Sequence, residues 1–128
     1  MQNTRPLNHG FLILDFGSQY TMLISRRMRE LGFYNEIIDA TKRPPEDFTI
    51  DGIILSGGPD TAWEIHSRNR PDWVLASNKP VLGICYGMQL LVETLGGKTR
   101  SGHSREYGKS ELVLDPQLPN HAKQLLSA

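Results

Sequence analysis

A single cysteine, Cys85, stands in the 128 residues of this chain, so no disulfide forms within it and a reducing compartment fits. Charge of neither sign dominates. Fourteen basic side chains are matched by 14 acidic ones, which argues against general binding to nucleic acid or to a membrane surface. No apolar run comes near the ~20 residues of a membrane span. Met1 to Asn8 is polar, with one Arg and no apolar signal core, so the expected location is cytoplasmic. Internal repeats and low-complexity tracts are also missing. The four histidines are scattered and show no ligand spacing with the lone cysteine, so no metal site is expected.

What is present is an ordinary globular composition, 38% hydrophobic and 22% charged, long enough to bury about two-thirds of its unfolded surface. Residues 1–9 read as a polar lead and residues 10–128 as one domain. Phe11-Leu12-Ile13-Leu14 is a continuous apolar run, the pattern of a parallel strand covered on both faces. Ser18 is placed to cap a following helix, with Tyr20, Leu23, Ile24, Met28 and Leu31 as its apolar stripe and Gly32 at its end. Arg26, Arg27 and Arg29 read as its solvated face rather than as a phosphate site. Phe33 to Ile38 gives a second strand, Thr41 to Thr49 a loop, and Ile53-Ile54-Leu55 a third strand. Pro71 suits the first position of a short helix through Trp73, Val74 and Leu75.

Val81 to Ile84 is then a short buried strand, followed by a helix with Met88, Leu91, Val92 and Leu95 on its apolar face and Gly96-Gly97 at its end. Glu111 to Leu114 suggests one more strand, and the chain after Pro116 a weak helix. Strands alternating with helices predict an α/β fold with a doubly wound, mostly parallel sheet flanked by helices. Such sheets take their ligands at the carboxyl ends of the strands. Gly17, Gly57-Gly58 and Cys85 all fall at such ends.

Cys85 sits between a strand and a helix with Gly83 and Gly87 two residues to either side, the layout of a nucleophile elbow. A lone cysteine by itself reads as a small buried hydrophobe, but a core cysteine needs no flanking glycines. A helix N-terminus there favours the thiolate form. If Gly57-Gly58 faces the elbow, the N–H groups of Gly58 and Tyr86 form an oxyanion hole, each donor worth about 3 kcal/mol toward a tetrahedral intermediate. The implied reaction is acyl transfer through a thioester. Ser56 to Pro59 reads equally well as an ordinary loop after a strand. Gln89, one turn into the helix, is able to offer its amide to a substrate, although surface exposure is the default for a lone Gln.

Three blocks carry a resemblance: Leu14-Asp15-Phe16-Gly17-Ser18-Gln19-Tyr20-Thr21, then Ile54-Leu55-Ser56-Gly57-Gly58-Pro59, then Gly83-Ile84-Cys85-Tyr86-Gly87-Met88-Gln89. Together with Arg105-Glu106-Tyr107-Gly108, they resemble the class I glutamine amidotransferases over about residues 10 to 114. The nearest branch is the one whose glutaminase domain feeds an ATP-dependent synthetase. The resemblance implies a flavodoxin-like fold. Cys85 would be the nucleophile on the glutamine amide, Gly58 and Tyr86 the oxyanion donors, and Gly57 and Gln89 would lie along the bound glutamine. The released ammonia would pass to the synthetase, which aminates XMP to GMP. ATP and Mg are expected only in that synthetase, whose phosphate loop has no counterpart here, and no cofactor is expected in this chain.

The family completes its triad with His-Pro-Glu some ninety residues past the cysteine, whereas this sequence runs 43 residues past Cys85. Neither His103 nor His121 carries that motif. The expectation is therefore a partial domain, truncated on its C-terminal side. Loss of a triad base commonly costs roughly four to six orders of magnitude in turnover, so the chain alone is expected to be weak or inactive. His103 as a substitute base is the weaker reading. Two rivals stand beside the glutaminase. Ser18-Gln19-Tyr20-Thr21 is loosely similar to a flavodoxin-type phosphate loop, although a cap and a core tyrosine explain it as well. A non-catalytic remnant or regulatory subunit would dock on a synthetase through Arg100 to Lys109, a segment that also reads as a solvated loop.

Overall fold

The computed structural model describes residues 8–58, 72–98 and 114–126. Four strands, β1 (His9–Asp15), β2 (Asn35–Asp39), β3 (Thr49–Leu55) and β4 (Val81–Gly83), form one sheet in the order β2-β1-β3-β4. Every pairing is parallel. β1 thus starts at the last residue of the polar lead, and β3 starts four residues before the apolar run that announced it. Parallel neighbours need crossovers, and helices supply them. α1 (Thr21–Glu30) links β1 to β2, α2 (Asp72–Ala76) lies between β3 and β4, and α3 (Tyr86–Thr94) follows β4. The tail forms α4 (Asn120–Leu126), which buries none of its residues. The expectations on Pro71, His103, Arg105 and residues 111–113 lie outside the described residues.

The register explains the continuous hydrophobicity. Leu12, Leu14, Ile53 and Leu55 point to one face, where Val74 of α2 joins their core, with Trp73 of α2 and Leu91 of α3 packed against it. Ile13 and Ile54 point to the opposite face and are also buried. α1 covers this second face, tied there by Ser25 to Asn35 and by Thr21 to Ser56. The sheet is therefore wound on both sides, as the sequence predicts. Each fully buried Leu or Ile contributes about 1.5–3 kcal/mol over leaving it exposed.

Four expectations need correction. The stripe of α1 is not apolar: Thr21 and Ser25 are its buried residues, whereas Tyr20, Leu23 and Leu31 are exposed. Hydroxyls can take that face because each finds a partner. Ser25 donates to Asn35 Oδ1 at 2.6 Å, and Asn35, itself fully buried, returns a bond to the Ser25 carbonyl at 3.1 Å. Along α3, Tyr86, Gly87 and Leu90 are buried, while Met88, Val92 and Leu95 are exposed. The elbow rotates the helix so that Gly87, not Met88, meets the sheet. Finally, β4 is an edge strand among the described residues, and Leu82 is exposed rather than buried.

Ser18 does not cap α1 either. The N-cap position falls on Tyr20, with no side-chain cap bond, and Ser18 Oγ instead accepts the Tyr20 N–H at 3.0 Å, one turn earlier. Gly32 does end the helix, with φ of +90°. Its N–H reaches the Arg29 carbonyl and the Phe33 N–H reaches the Met28 carbonyl, the two bonds of a Schellman motif.

Candidate active site

The sheet order reverses between β1 and β3, and ligands of such sheets bind in the crevice outside the strand ends at that switch point. All three sequence blocks arrive there. β1 delivers Asp15 to Ser18, β3 delivers Ser56 to Gly58, and β4 delivers Cys85 next door.

The elbow is built as its glycines suggest. Only Ile84 and Cys85 separate β4 from α3, so the reversal is confined to two residues. Cys85 takes φ 52° and ψ −116°, a sparsely populated conformation costing about 1–3 kcal/mol. Packing across the turn holds it there. A Cβ on Gly87 would stand 2.1 Å from the Leu55 carbonyl oxygen, and one on Gly83 would stand 2.7 Å from the Met88 nitrogen. The same Leu55 carbonyl accepts the Ile84 N–H at 2.9 Å. Cys85 is a free, exposed thiol at the N-terminus of α3.

The Gly57-Gly58 loop faces the elbow. The point where a Gly57 Cβ would stand lies 3.5 Å from Cys85 Cβ, so the two segments are in contact. Gly58 is pressed on the first block: a Cβ there would meet the Phe16 carbonyl oxygen at 2.5 Å. The Phe16 ring in turn packs edge-on against Tyr86, with centroids 5.2 Å apart. The Gly58 N–H has no acceptor among the described residues. Gln89 is half-buried, one helical turn beyond Cys85, and its own N–H bonds the Cys85 carbonyl at 3.1 Å. Cys85, Gly57, Gly58 and Tyr86 are thus brought together, with Gln89 on the adjoining turn.

A buried polar hub beneath the loop escaped sequence reasoning. Ser56 and Thr21 are almost wholly enclosed, with their hydroxyls 2.9 Å apart. Ser56 Oγ also lies 2.8 Å from the Leu14 carbonyl, and Thr21 Oγ1 lies 3.2 Å from Asp15 Oδ1, which accepts the Gly17 N–H as well. Two hydroxyl protons serve these three contacts: Ser56 donates to the Leu14 carbonyl and Thr21 to Asp15 Oδ1, or one of the two turns its proton inward to the other hydroxyl. Either arrangement locks the base of the Gly57-Gly58 loop to β1 and α1. The signal was available as the pattern Asp15, Thr21 and Ser56, but a serine before a glycine, as at Ser56, usually signals only a turn.

Shifted ionisations occur on the far flank. Tyr34 is raised, chiefly by its hydrogen bond to Glu36, and Asp39 is lowered by bonds from the Thr41 hydroxyl and N–H. An open groove of about 840 Å³ also lies there, between α1 and β2, with Arg26, Arg29, Glu30 and Glu36 in its walls. Its one hydroxyl, that of Ser25, is spent on Asn35, and its charges balance, so the chemistry points to the elbow instead. His9 pairs with Asp51 at the opposite end of the sheet, 3.1 Å away. No hydrogen bond joins a histidine to Cys85 among the described residues. Nor is any described helix long and apolar enough to cross a membrane.

Comparison with known proteins defines the class. The family model for Glutamine amidotransferase class-I matches residues 12–125, and the chain belongs to that family. Within it, the chain is 52% identical over 114 residues to a GMP synthase [glutamine-hydrolyzing] of Tolumonas auensis, covering 86% of this chain. It is 48% identical over 122 residues to the corresponding protein of Haemophilus ducreyi, covering 94% of this chain. In both cases it spans only 22% of the relative's length. The crystal structure of a GMP synthase subunit protein from Thermoplasma acidophilum superimposes with a TM-score of 0.66 at 29% identity. That match covers 77% of this chain and 50% of the other.

Proposed function

We propose that this chain carries the nucleophile side of a glutaminase that supplies ammonia for GMP synthesis. Cys85 in its strained elbow, in contact with Gly57, is the observation that carries the reading. The thiolate attacks the side-chain amide carbon of glutamine. The oxygen of the tetrahedral intermediate takes hydrogen bonds from the N–H groups of Gly58 and Tyr86. The nitrogen takes from solvent the proton that the thiol gave up and leaves as ammonia, and water then cleaves the thioester to glutamate and the free thiol. Gly57 leaves room for the glutamine side chain, and Gln89 holds its far end. The names of the relatives support use of the ammonia in GMP synthesis, and the family resemblance extends this to transfer to an ATP-dependent synthetase part that converts XMP to GMP in the cytoplasm. ATP and Mg act in that part.

The sequence carries no His-Pro-Glu motif, and on that ground these residues alone are expected to turn glutamine over slowly. Two measurements test the proposal. Ammonia release from glutamine is compared with that of Cys85→Ala, and Cys85 alkylation by a glutamine-like chloroketone is compared with alkylation by chloroacetone. The expected result is slow, Cys85-dependent release and at least about tenfold preference for the glutamine-like reagent, worth some 1.4 kcal/mol of recognition. Equal rates with the two reagents would refute the site. Release at ordinary enzyme rates, ~10 per second, would overturn the slow-turnover half and place a base within these residues.

A further inference from the structure

Resting on the glutaminase reading, we propose that Ser18 is a substrate-binding residue, its hydroxyl donating to an oxygen of the glutamine lying between Ser18 and Cys85. The gap itself is on view. The position of a Gly57 Cβ is 3.5 Å from Cys85 Cβ and 3.6 Å from Ser18 Oγ, so the nucleophile and the hydroxyl flank one glycine. Both distances are ordinary van der Waals separations, which means the gap accepts a carbon atom without displacing either wall. It also coincides with the switch point between β1 and β3, where the loops after the two strands part.

The hydroxyl is set up to donate. A serine oxygen offers one proton and two lone pairs. The Tyr20 N–H occupies a lone pair at 3.0 Å and so fixes the side chain, while the proton has no acceptor among the described residues. The neighbouring Ser56 and Thr21 hydroxyls are different, since both are spent inside the buried hub. A half-buried hydroxyl with a free proton beside the nucleophile suits an oxygen-bearing substrate better than a merely apolar one.

The test compares two alkylating reagents on the full chain. Iodoacetamide reports the thiol alone, and a glutamine-like chloroketone reports the thiol plus its pocket. In Ser18→Ala the chloroketone rate should fall about 3- to 10-fold, the effect of one neutral hydrogen bond, with the iodoacetamide rate unchanged. Gly57→Ala, which fills the gap without a clash, should also lower the chloroketone rate and spare iodoacetamide. Urea unfolding of both variants checks that neither effect is a loss of fold. If the unmodified chain prefers the chloroketone and Ser18→Ala keeps that preference in full, the proposal falls while the glutaminase reading stands. If the unmodified chain shows no preference, the glutaminase reading falls and takes this one with it.

Discussion

Helices α1 and α3 leave the same end of the sheet and finish alike, yet they begin in opposite ways. Each closes on a Leu-Gly pair with the glycine at φ near +90°, and each ends in the same two carbonyl contacts: Gly96 to Glu93 and Gly97 to Val92 repeat what Gly32 and Phe33 do. Before α1, five residues make the turn, and the positive φ of 92° falls on Gly17. Before α3, only two residues make it, and the positive φ falls on Cys85. Helix ends are therefore settled by neighbours in sequence, while the strained start is held from outside, by Leu55 under Gly87. Strain of this kind persists only where the surroundings over-determine it, and here it falls on Cys85, the residue we propose as nucleophile.

The sharpest way to break that contrast is Gly87→Ala. With the new Cβ 2.1 Å from a backbone oxygen, the strand or the helix must move, and we expect a loss of at least about 3 kcal/mol in urea unfolding. The matching change near the start of α1, Met22→Ala at an exposed site, should stay within about 0.5 kcal/mol. Next in size is Thr21→Val, which removes one hydroxyl of the buried hub and strands Ser56 or Asp15. A loss of about 1–2 kcal/mol is expected, and a smaller loss in the double variant with Ser56→Ala than the two singles together would reveal their coupling.

The shared ends predict equal effects. Gly32→Ala and Gly96→Ala each meet no atom within 4 Å, so only the left-handed backbone is penalised, by about 1 kcal/mol in both. Thermal unfolding that separated the two by more than about 0.5 kcal/mol would show that the ends are not locally determined after all. The smallest effect lies on the β2 flank. Because its bond to Glu36 raises Tyr34, the folded state favours the protonated phenol. Its contribution is complete below about pH 10 and fades as the pH rises past the raised value. Tyr34→Phe should flatten the alkaline limb of the stability curve.

Legibility followed the same division. Leu12 to Leu14 and Ile53 to Leu55 read as buried strands because burial on both faces leaves no polar alternation to interpret. Gly83 and Gly87 gave away the elbow because nothing larger fits there. The stripes of α1 and α3 misled, since periodicity rewards Leu23 and Met88 and discounts Thr21 and Ser25. Tyr20 was drawn into the stripe although it belongs to the turn.

The sequence by itself determined the apolar centres of the strands and the helix ends, because each depends on residues within one or two turns of chain, and Gly83 and Gly87 marked where the elbow lies. Tertiary structure alone decided which helix faces are buried. A hydroxyl is tolerated inside only when its partner is in place, and the partner of Thr21 stands 35 residues away, at Ser56. Tertiary structure likewise brought Ser18, Gly57 and Cys85 around one gap, since three strand ends meet only when the sheet order β2-β1-β3-β4 is formed.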